Sequence, residues 1–149
     1  ECGFTLQKSL YDQVFAWSEQ LPGITEYLRT PETYVYYTLT LTPGNRFSTS
    51  LSGVYTGTML IPHYGLTGDL GTPEQDELIK SPAFLDINLK MGYIFNVPRM
   101  DSSVELFGGI SNMLNQYQND FDKGKNRDSN YIYGPAKPRS FLVGLRIFN

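Results

Sequence analysis

The stretch Phe84-Leu-Asp-Ile-Asn-Leu-Lys-Met-Gly-Tyr-Ile-Phe-Asn96 alternates apolar and polar residues along its length. One set of alternate positions is apolar and consists of Leu85, Ile87, Leu89, Met91, Tyr93 and Phe95. The other set is mostly polar or small and contains Asp86, Asn88, Lys90, Gly92 and Asn96. Successive side chains of a β-strand point to opposite faces of the sheet. The stretch therefore predicts a long strand with one apolar and one polar face.

The same pattern predicts further strands over residues 2–15, 33–42, 45–59, 103–114 and 139–149. At about 3.3 Å per residue these runs span roughly 30–45 Å, which is longer than most strands of soluble proteins. A tilted strand of about 9–11 residues crosses a bilayer. We predict an all-β fold: an antiparallel transmembrane β-barrel segment of six long strands.

The predicted connections alternate between short and long. Residues 42–46 and 97–102 form short turns, whereas residues 16–32, 60–83 and 115–138 form long loops. Short turns at one end and long loops at the other are typical of outer-membrane barrels. If the last strand ends in the periplasm, both short turns are periplasmic and all long loops are extracellular.

Composition excludes several classes of protein. The net charge of −3 and the isoelectric point near 5.1 argue against nucleic-acid binding, which needs a basic surface. Cys2 and His63 are each the only residue of their kind, which excludes a disulfide scaffold and a structural Cys/His zinc site. No run of about 18 apolar residues predicts a transmembrane helix. We find no linker and treat residues 1–149 as one unit.

The two ends of the chain have different characters. It begins at Glu1 without an initiator Met or a signal peptide, as expected of a mature protein or of a piece of a longer one. Apolar residues continue almost to Asn149, so we expect the C-terminus to be a native end fixed in a sheet.

Several motifs in the second half of the chain carry a family resemblance: Phe107-Gly-Gly-Ile-Ser-Asn-Met-Leu-Asn-Gln-Tyr117, Tyr131-Ile-Tyr-Gly-Pro135 and Pro138-Arg-Ser140, with Tyr55-Thr-Gly-Thr-Met59 earlier. Together they resemble the C-terminal end of TonB-dependent outer-membrane receptors, especially those of Bacteroidetes type. The residues that match the family pattern are Gly108, Asn112, Asn115, Tyr117, Gly134, Pro135, Arg139 and Phe148. The family usually ends on an aromatic residue, whereas here Phe148 is followed by Asn149.

The resemblance implies a barrel of about 22 strands, of which this chain is the last part, without the N-terminal plug and TonB box. It implies a non-enzymatic outer-membrane receptor for active uptake of a siderophore, haem, cobalamin or glycan, with no cofactor. The implied partners are the rest of the barrel and the plug, the TonB complex, membrane lipid and the barrel-assembly machinery, but no nucleic acid.

Two other functions remain open. The chain could be a soluble β-sheet binding domain that recognises a sugar or a protein through aromatic loops. It could also be a small complete barrel, such as a porin-like protein or a lipid-A enzyme. Six strands are fewer than the usual minimum of about eight for such a barrel.

The candidate ligand-contacting residues lie in the predicted long loops and are His63, Tyr64, Asp122, Arg127, Tyr131 and Tyr133. No nucleophile–base pair is evident, and an ordinary loop histidine is the plainer interpretation of His63. Oxygen ligands for Ca²⁺ cluster at Asp120, Asp122, Asn126 and Asp128. Lys123, Lys125 and Arg127 offset their charge, which favours an internally paired loop. We therefore predict no metal site.

Aromatic and charged residues predict the orientation of the strands. Tyr34, Tyr36, Tyr93, Phe95, Phe141 and Phe148 lie near predicted strand ends, as in an aromatic girdle; a soluble barrel core is the alternative. Lys90, Glu105 and Arg146 fall on polar faces, which we expect to line the lumen. We expect Leu85, Ile87, Leu89, Met91, Val143, Leu145 and Ile147 to face lipid.

Overall fold

The computed structural model of the chain describes residues 1–65, 74–97 and 102–148, where all regular structure is β-strand. In chain order the strands are β1 (Cys2–Leu6), β2 (Leu10–Phe15), β3 (Ile24–Glu26), β4 (Thr33–Leu41), β5 (Phe47–Thr56), β6 (Leu60–His63), β7 (Glu77–Lys80), β8 (Phe84–Val97), β9 (Ser102–Ser111) and β10 (Ser140–Phe148). No helix in these residues is long and apolar enough to cross a membrane.

Six of these strands form one sheet in the order β1-β4-β5-β8-β9-β10, and every neighbouring pair is antiparallel. Each predicted strand segment corresponds to one strand of this sheet, and β8 and β9 each extend one residue beyond the predicted bounds. The longest is β8, with 14 residues, and it covers the predicted run 84–96 with one residue more. The prediction of an all-β, antiparallel sheet with long strands is therefore confirmed.

The prediction of one continuous strand over residues 2–15 was wrong, because this run divides into β1 and β2. Gln7 lies just past the last β1–β4 pair: its backbone N–H donates to the Glu32 carbonyl at 2.9 Å, and its side-chain amide donates to the Pro31 carbonyl at 2.9 Å. Beyond this break, β2 pairs with β3 instead of β4. Lys8, which interrupts the apolar alternation, lies at the break.

The alternation of short and long connections is present in the sheet. Residues 42–46 join β4 to β5 at one end, and β8 is joined to β9 at that same end through residues 98–101, which lie outside the described residues. The connections from β1 to β4, from β5 to β8 and from β9 to β10 lie at the other end.

Two of the three long connections are not the irregular loops that we predicted. Residues 60–83 carry the paired strands β6 and β7, and residues 16–32 carry β3, which pairs with β2 just before this connection. Gly68, Gly71 and Pro73 of the second loop lie outside the described residues. The third connection, residues 112–139, has no regular structure and is held by side-chain hydrogen bonds.

Strand register gives the sheet one apolar face. Residues paired across antiparallel strands point to the same side, and Leu89 pairs with both Leu51 and Ile110. The residues on this apolar face include Phe4, Val35, Leu39, Leu41, Phe47, Leu51, Tyr55, Leu85, Ile87, Leu89, Met91, Tyr93, Phe95, Val104, Leu106, Ile110, Phe141, Val143, Leu145 and Ile147. The predicted division of alternate residues between two faces is confirmed.

The predicted aromatic girdle needs correction. Tyr93, Phe95 and Phe141 belong to the apolar face. Tyr34 and Tyr36 point to the opposite face, because they pair with Thr56 and Val54 across β5. Phe148 also lies on that face, as the partner of Ser103. A strand of period two cannot place neighbours such as Tyr34 and Val35 on the same side.

The sheet has little core of its own. Val143 is 79% exposed and Phe4 is 73% exposed, so nothing among the described residues covers the apolar face at these positions. The buried apolar residues are Leu21, Ile61, Phe84 and Tyr131. Phe84 begins β8 and the other three belong to the long connections. The packed core therefore lies at the end of the sheet where the long connections meet.

The sheet is open within the described residues. Strand β1 pairs only with β4 there, and β10 pairs only with β9. The six strands therefore do not close into a barrel, and both outer strands carry an unpaired edge.

Candidate functional site

The most closely packed polar cluster lies where the β6–β7 hairpin meets the connection 112–139. His63, the last residue of β6, is 5% exposed. Its Nε2 lies 3.0 Å from each carboxylate oxygen of Asp122, and its Nδ1 lies 3.5 Å from Glu77 Oε1 on β7. The imidazole also stacks on the Tyr131 ring, with centroids 3.7 Å apart and planes 9° apart.

Asp120 organises the tyrosines next to this histidine. The hydroxyls of Tyr131 and Tyr133 both donate to Asp120 Oδ2, at 3.0 and 2.6 Å. Burial, followed by the hydrogen bond to Asp120 and its charge, raises the pKa of Tyr133 to about 12. The same causes raise the pKa of Tyr131 further above its usual value. Both hydroxyls therefore remain protonated donors at neutral pH.

Asp122 and Asp128 accept hydrogen bonds from the backbone. The N–H of Asp128 donates to Asp122 Oδ2 at 3.0 Å, and the N–H of Tyr64 donates to Asp128 Oδ2 at 3.1 Å. The N–H of Asn130 donates to Asp128 Oδ1 at 2.8 Å. Asp128 thus joins the connection 112–139 to the residue that follows His63. Both aspartates are buried, and buried carboxylates require such donors.

The aspartates considered for Ca²⁺ are therefore bonded to donors of the chain itself. Their described partners are the imidazole, two tyrosine hydroxyls and backbone N–H groups, rather than Lys123 or Lys125. Arg127 is exposed, and its guanidinium donates to the Gly124 carbonyl at 3.2 Å. Among the described residues, no group of three His, Cys, Asp or Glu side chains could hold a metal ion.

Gln118 was missed by the sequence analysis, although it is almost fully buried within the connection. Its side-chain amide donates to the Tyr131 carbonyl at 3.1 Å. Its Oε1 accepts from the N–H groups of Tyr133 and Gly134, at 2.9 and 3.3 Å. These bonds replace the pairing that a strand would provide. A single glutamine in a polar loop gives no sequence signal of this role.

Asn112 and Asn115 close the turn that follows β9. Both have left-handed backbones, with φ of 51° and 56°, which asparagine tolerates better than most residues. The Asn112 side chain donates to the carbonyls of Gln116 and Lys137 and accepts from the Gln116 N–H, all within 3.0 Å. Asn115 Oδ1 accepts from the Arg139 N–H at 2.9 Å, just before β10. The turn therefore fixes the entry to the last strand.

Gly134 allows an aromatic ring to approach the backbone. A Cβ at this position would lie 2.5 Å from the Phe84 ring, which is closer than Cβ atoms approach other heavy atoms in real structures. Pro135 follows, and its carbonyl accepts from the Gln118 N–H at 2.9 Å. Of the other family-matching residues, Gly108 lies in β9 opposite Val143, Tyr117 is half-buried beside Gln118, and Phe148 ends β10.

A second polar group lies on the sheet itself, on the face opposite the apolar one. Arg146 Nη1 lies 3.0 Å from Glu105 Oε2 across β9 and β10. Lys90 Nζ and the Arg146 guanidinium lie 5.2 and 5.8 Å from the centre of the Phe107 ring. The predicted placement of Lys90, Glu105 and Arg146 on one polar face is confirmed.

The structure thus brings His63, Tyr64, Asp122, Tyr131 and Tyr133 together, and leaves Arg127 on the surface. The second ring nitrogen of His63 faces Glu77 rather than a hydroxyl or thiol. This arrangement joins the β6–β7 hairpin to the connection 112–139. Comparison of the chain with protein-family models, curated proteins and solved structures found no match.

Proposed function

We propose that this chain forms the C-terminal part of the barrel wall of a TonB-dependent outer-membrane receptor. The observation that carries the proposal is the uncovered apolar face of the six-stranded sheet, with Val143 and Phe4 more than 70% exposed. Soluble monomers rarely expose a continuous apolar surface of this extent. In a bilayer the same surface meets hydrocarbon, and the opposite polar face meets water or protein.

The lengths of the strands fit this role. Strands β4, β5, β9 and β10 have 9, 10, 10 and 9 residues. A tilted strand needs about 9–11 residues to cross the hydrocarbon core.

Aromatic residues lie near both ends of the apolar face. Phe47 and Tyr93 pair near the short-turn end, and Phe95 lies 4.7 Å from Tyr93 between ring centroids. Tyr55 and Phe141 lie near the end with the long connections. Rings of this kind prefer the two membrane interfaces. They support the proposal that the apolar face spans the hydrocarbon between them.

The arrangement of the connections supports an orientation. In outer-membrane barrels the short turns are periplasmic and the long loops extracellular. The His63–Asp122 cluster would then lie on the extracellular side, where a nutrient arrives. The resemblance of residues 103–149 to the family supports uptake of a siderophore, haem, cobalamin or glycan. In that role the chain completes the barrel around a plug, and energy comes from the TonB complex.

Fractionation of cells that express the protein tests its location. We expect the protein in the outer membrane, with faster gel migration before heating than after, because unheated barrels stay folded in detergent. Recovery of a monomer from the soluble fraction would contradict the proposal.

Uptake needs a separate measurement. We expect deletion of the gene to abolish accumulation of one nutrient from the four named classes, and an uncoupler to abolish the same accumulation in the parent strain. Accumulation that survives the uncoupler would be compatible with a barrel but would contradict TonB-driven transport.

The β2–β3 hairpin favours a second candidate function, a soluble binding domain for a sugar or protein. Tyr11 and Tyr27 stack with centroids 4.1 Å apart, and Phe15 meets Trp17 edge-on at 5.1 Å. Except for Tyr11, these rings are at least one-third exposed, as in an aromatic recognition surface. Detergent-free solubility together with binding that is lost on Trp17→Ala would favour this function.

A further inference from the structure

A cavity lies apart from the His63–Asp122 cluster, where the break between β1 and β2 meets the end of β3 and the β6–β7 hairpin. Its volume is about 220 Å³. Drug-sized ligands occupy pockets of about 300–1,000 Å³, so this cavity suits a smaller molecule. The charged and aromatic residues of its lining are Lys8, Glu26, Tyr27, Glu32 and Lys80.

Hydrogen bonds between distant segments hold the walls of this cavity together. The Arg29 N–H donates to the Leu60 carbonyl at 2.8 Å, which joins the segment after β3 to the β6–β7 hairpin. The Gln7 N–H donates to the Glu32 carbonyl at 2.9 Å, which joins the end of β1 to the segment before β4. The cavity is therefore formed by the backbone of the folded chain, and a ligand does not have to order these segments when it binds.

The lining contains two lysines and two glutamates, and its other residues are uncharged. Within the described residues, no ion pair joins either lysine to either glutamate, or any of the four to another charged group. All four residues are exposed, so a ligand can reach them from solvent. The cavity thus offers charges of both signs that do not neutralise one another by direct pairing.

A small ligand that itself carries both charges suits this lining best. Lysine ammonium groups donate hydrogen bonds to a carboxylate, and glutamate carboxylates accept hydrogen bonds from an ammonium group. An anion would be repelled by the two glutamates, and a cation by the two lysines. A neutral sugar would leave both pairs of charges unused.

Tyr27 supports the ammonium side of such a site. The Tyr11 ring stacks on the Tyr27 ring, with centroids 4.1 Å apart and planes 11° apart, which fixes its orientation. The Tyr27 side chain nevertheless remains 42% exposed. An aromatic face attracts a cation, and Tyr27 directly follows Glu26 in the chain.

We propose that this cavity binds a small zwitterion of the amino-acid type, either a free amino acid or a short peptide with free termini. Lys8 and Lys80 bind its carboxylate, and Glu26 and Glu32 bind its ammonium group. This inference goes beyond the proposed uptake function and does not rest on it, because the cavity is formed whether or not the sheet belongs to a barrel.

Calorimetric titration of the full chain, in a non-ionic detergent without a sugar headgroup, tests the class of ligand. The probes are alanyl-alanine, its N-acetylated form, its C-terminal amide and glucose. We expect alanyl-alanine to bind and each blocked form to bind about tenfold more weakly, the order expected for loss of a hydrogen bond to a charged group. Glucose should not bind. Alanine identifies the source of the zwitterion: tighter binding than alanyl-alanine indicates a free amino acid, and weaker binding indicates a peptide.

Two double variants test which charges bind which end of the ligand. Lys8→Gln with Lys80→Gln should weaken binding of alanyl-alanine about tenfold, without weakening binding of the amide, which has no carboxylate. Glu26→Gln with Glu32→Gln should weaken binding of alanyl-alanine to a similar degree, without weakening binding of the acetylated form, which has no ammonium group. The matched control Lys123→Gln changes an exposed lysine outside the cavity lining and should bind like the wild type.

Several outcomes would overturn the inference. Neither alanine nor alanyl-alanine binds at millimolar concentration, or glucose binds as tightly as alanyl-alanine. Blocking either end leaves the affinity unchanged, or Lys123→Gln weakens binding as much as the double lysine variant does. The comparison of probes uses the wild-type chain alone, so it decides the matter even where a variant does not fold.

Discussion

Asp120 makes the ionisation of Tyr133 a sensitive probe of the connection 112–139. The pKa of Tyr133 is raised to about 12, above the ordinary value of about 10. Because the pKa of Tyr133 is higher in the folded than in the unfolded state, its protonated hydroxyl stabilises the fold. This contribution is complete below about pH 10 and is lost as the pH rises through 12. We expect Asp120→Asn to lower the Tyr133 pKa, but not to the ordinary value, because burial is the larger cause. Absorbance titration of tyrosinate would measure this change, with Asp12→Asn as the control; no change in D120N would contradict the assignment.

Asn112 also stabilises the connection 112–139. Its side chain makes three hydrogen bonds and its backbone is left-handed. Asn112→Ala leaves two carbonyls without a donor, and we expect it to lower the free energy of unfolding by about 2–3 kcal/mol. Denaturant unfolding in detergent would measure the loss. The exposed Asn119→Ala is the matched control and should change stability by less than about 0.5 kcal/mol.

At the scale of the strand, the proposed membrane contact makes neighbouring residues of β5 and β8 behave differently. Leu89 lies on the apolar face, and Ser52 lies on the polar face near the same level of the sheet. We expect Leu89→Arg to cost about 2–4 kcal/mol and to impair assembly in the outer membrane, whereas Ser52→Arg should be mild. Asn88 is a poorer control, because its Oδ1 accepts from the Asn112 N–H at 3.0 Å. Equal losses in both variants would exclude a lipid-facing Leu89.

Spin labels at Leu51 and Ser52 test the same two faces without introducing a charge. The two residues are neighbours in β5, so their side chains point to opposite sides of the sheet. We expect a lipid-soluble quencher to reach position 51 and a water-soluble quencher to reach position 52. The reverse result would mean that the faces are assigned the wrong way round, and equal access of the water-soluble quencher to both would exclude the barrel.

The sequence predicts the strands well because period two is a local signal that β8 carries over 14 residues. It fails at residues 7–9, where Gln7 bonds to Pro31 and Glu32, which lie more than 20 residues away. The sequence also names His63, Asp122 and Tyr131 as candidate residues without indicating their contacts, for the same reason. His63 and Asp122 are 59 residues apart, and nothing in either local pattern indicates the other. The role of Gln118 cannot be predicted from the sequence, because its hydrogen-bond partners are backbone groups, which every residue offers.

At the scale of the whole molecule, packing is concentrated at one end of the sheet. The buried Ile61, Phe84 and Tyr131 lie where the long connections meet, whereas the strands expose apolar residues along their length. Hydrogen bonds between strands hold the sheet together, but they do not remove apolar surface from water. The chain is therefore well packed where the long connections meet, whereas the apolar face of the sheet is left uncovered. Under the proposed function, membrane lipid covers that face.

The open edges add to this requirement and lead to a prediction for the isolated chain. Within the part of the chain that the structure describes, the outer edges of strands β1 and β10 have no pairing strand, and Phe141, Val143, Leu145 and Ile147 of β10 are more than half exposed. Exposed apolar edge strands pair with other chains. We expect the purified chain to form oligomers or aggregates in detergent-free buffer and to disperse in detergent micelles, as sedimentation velocity would measure. A detergent-free monomer that unfolds cooperatively would show that the apolar face tolerates water, and the proposal of a barrel wall would fail with it.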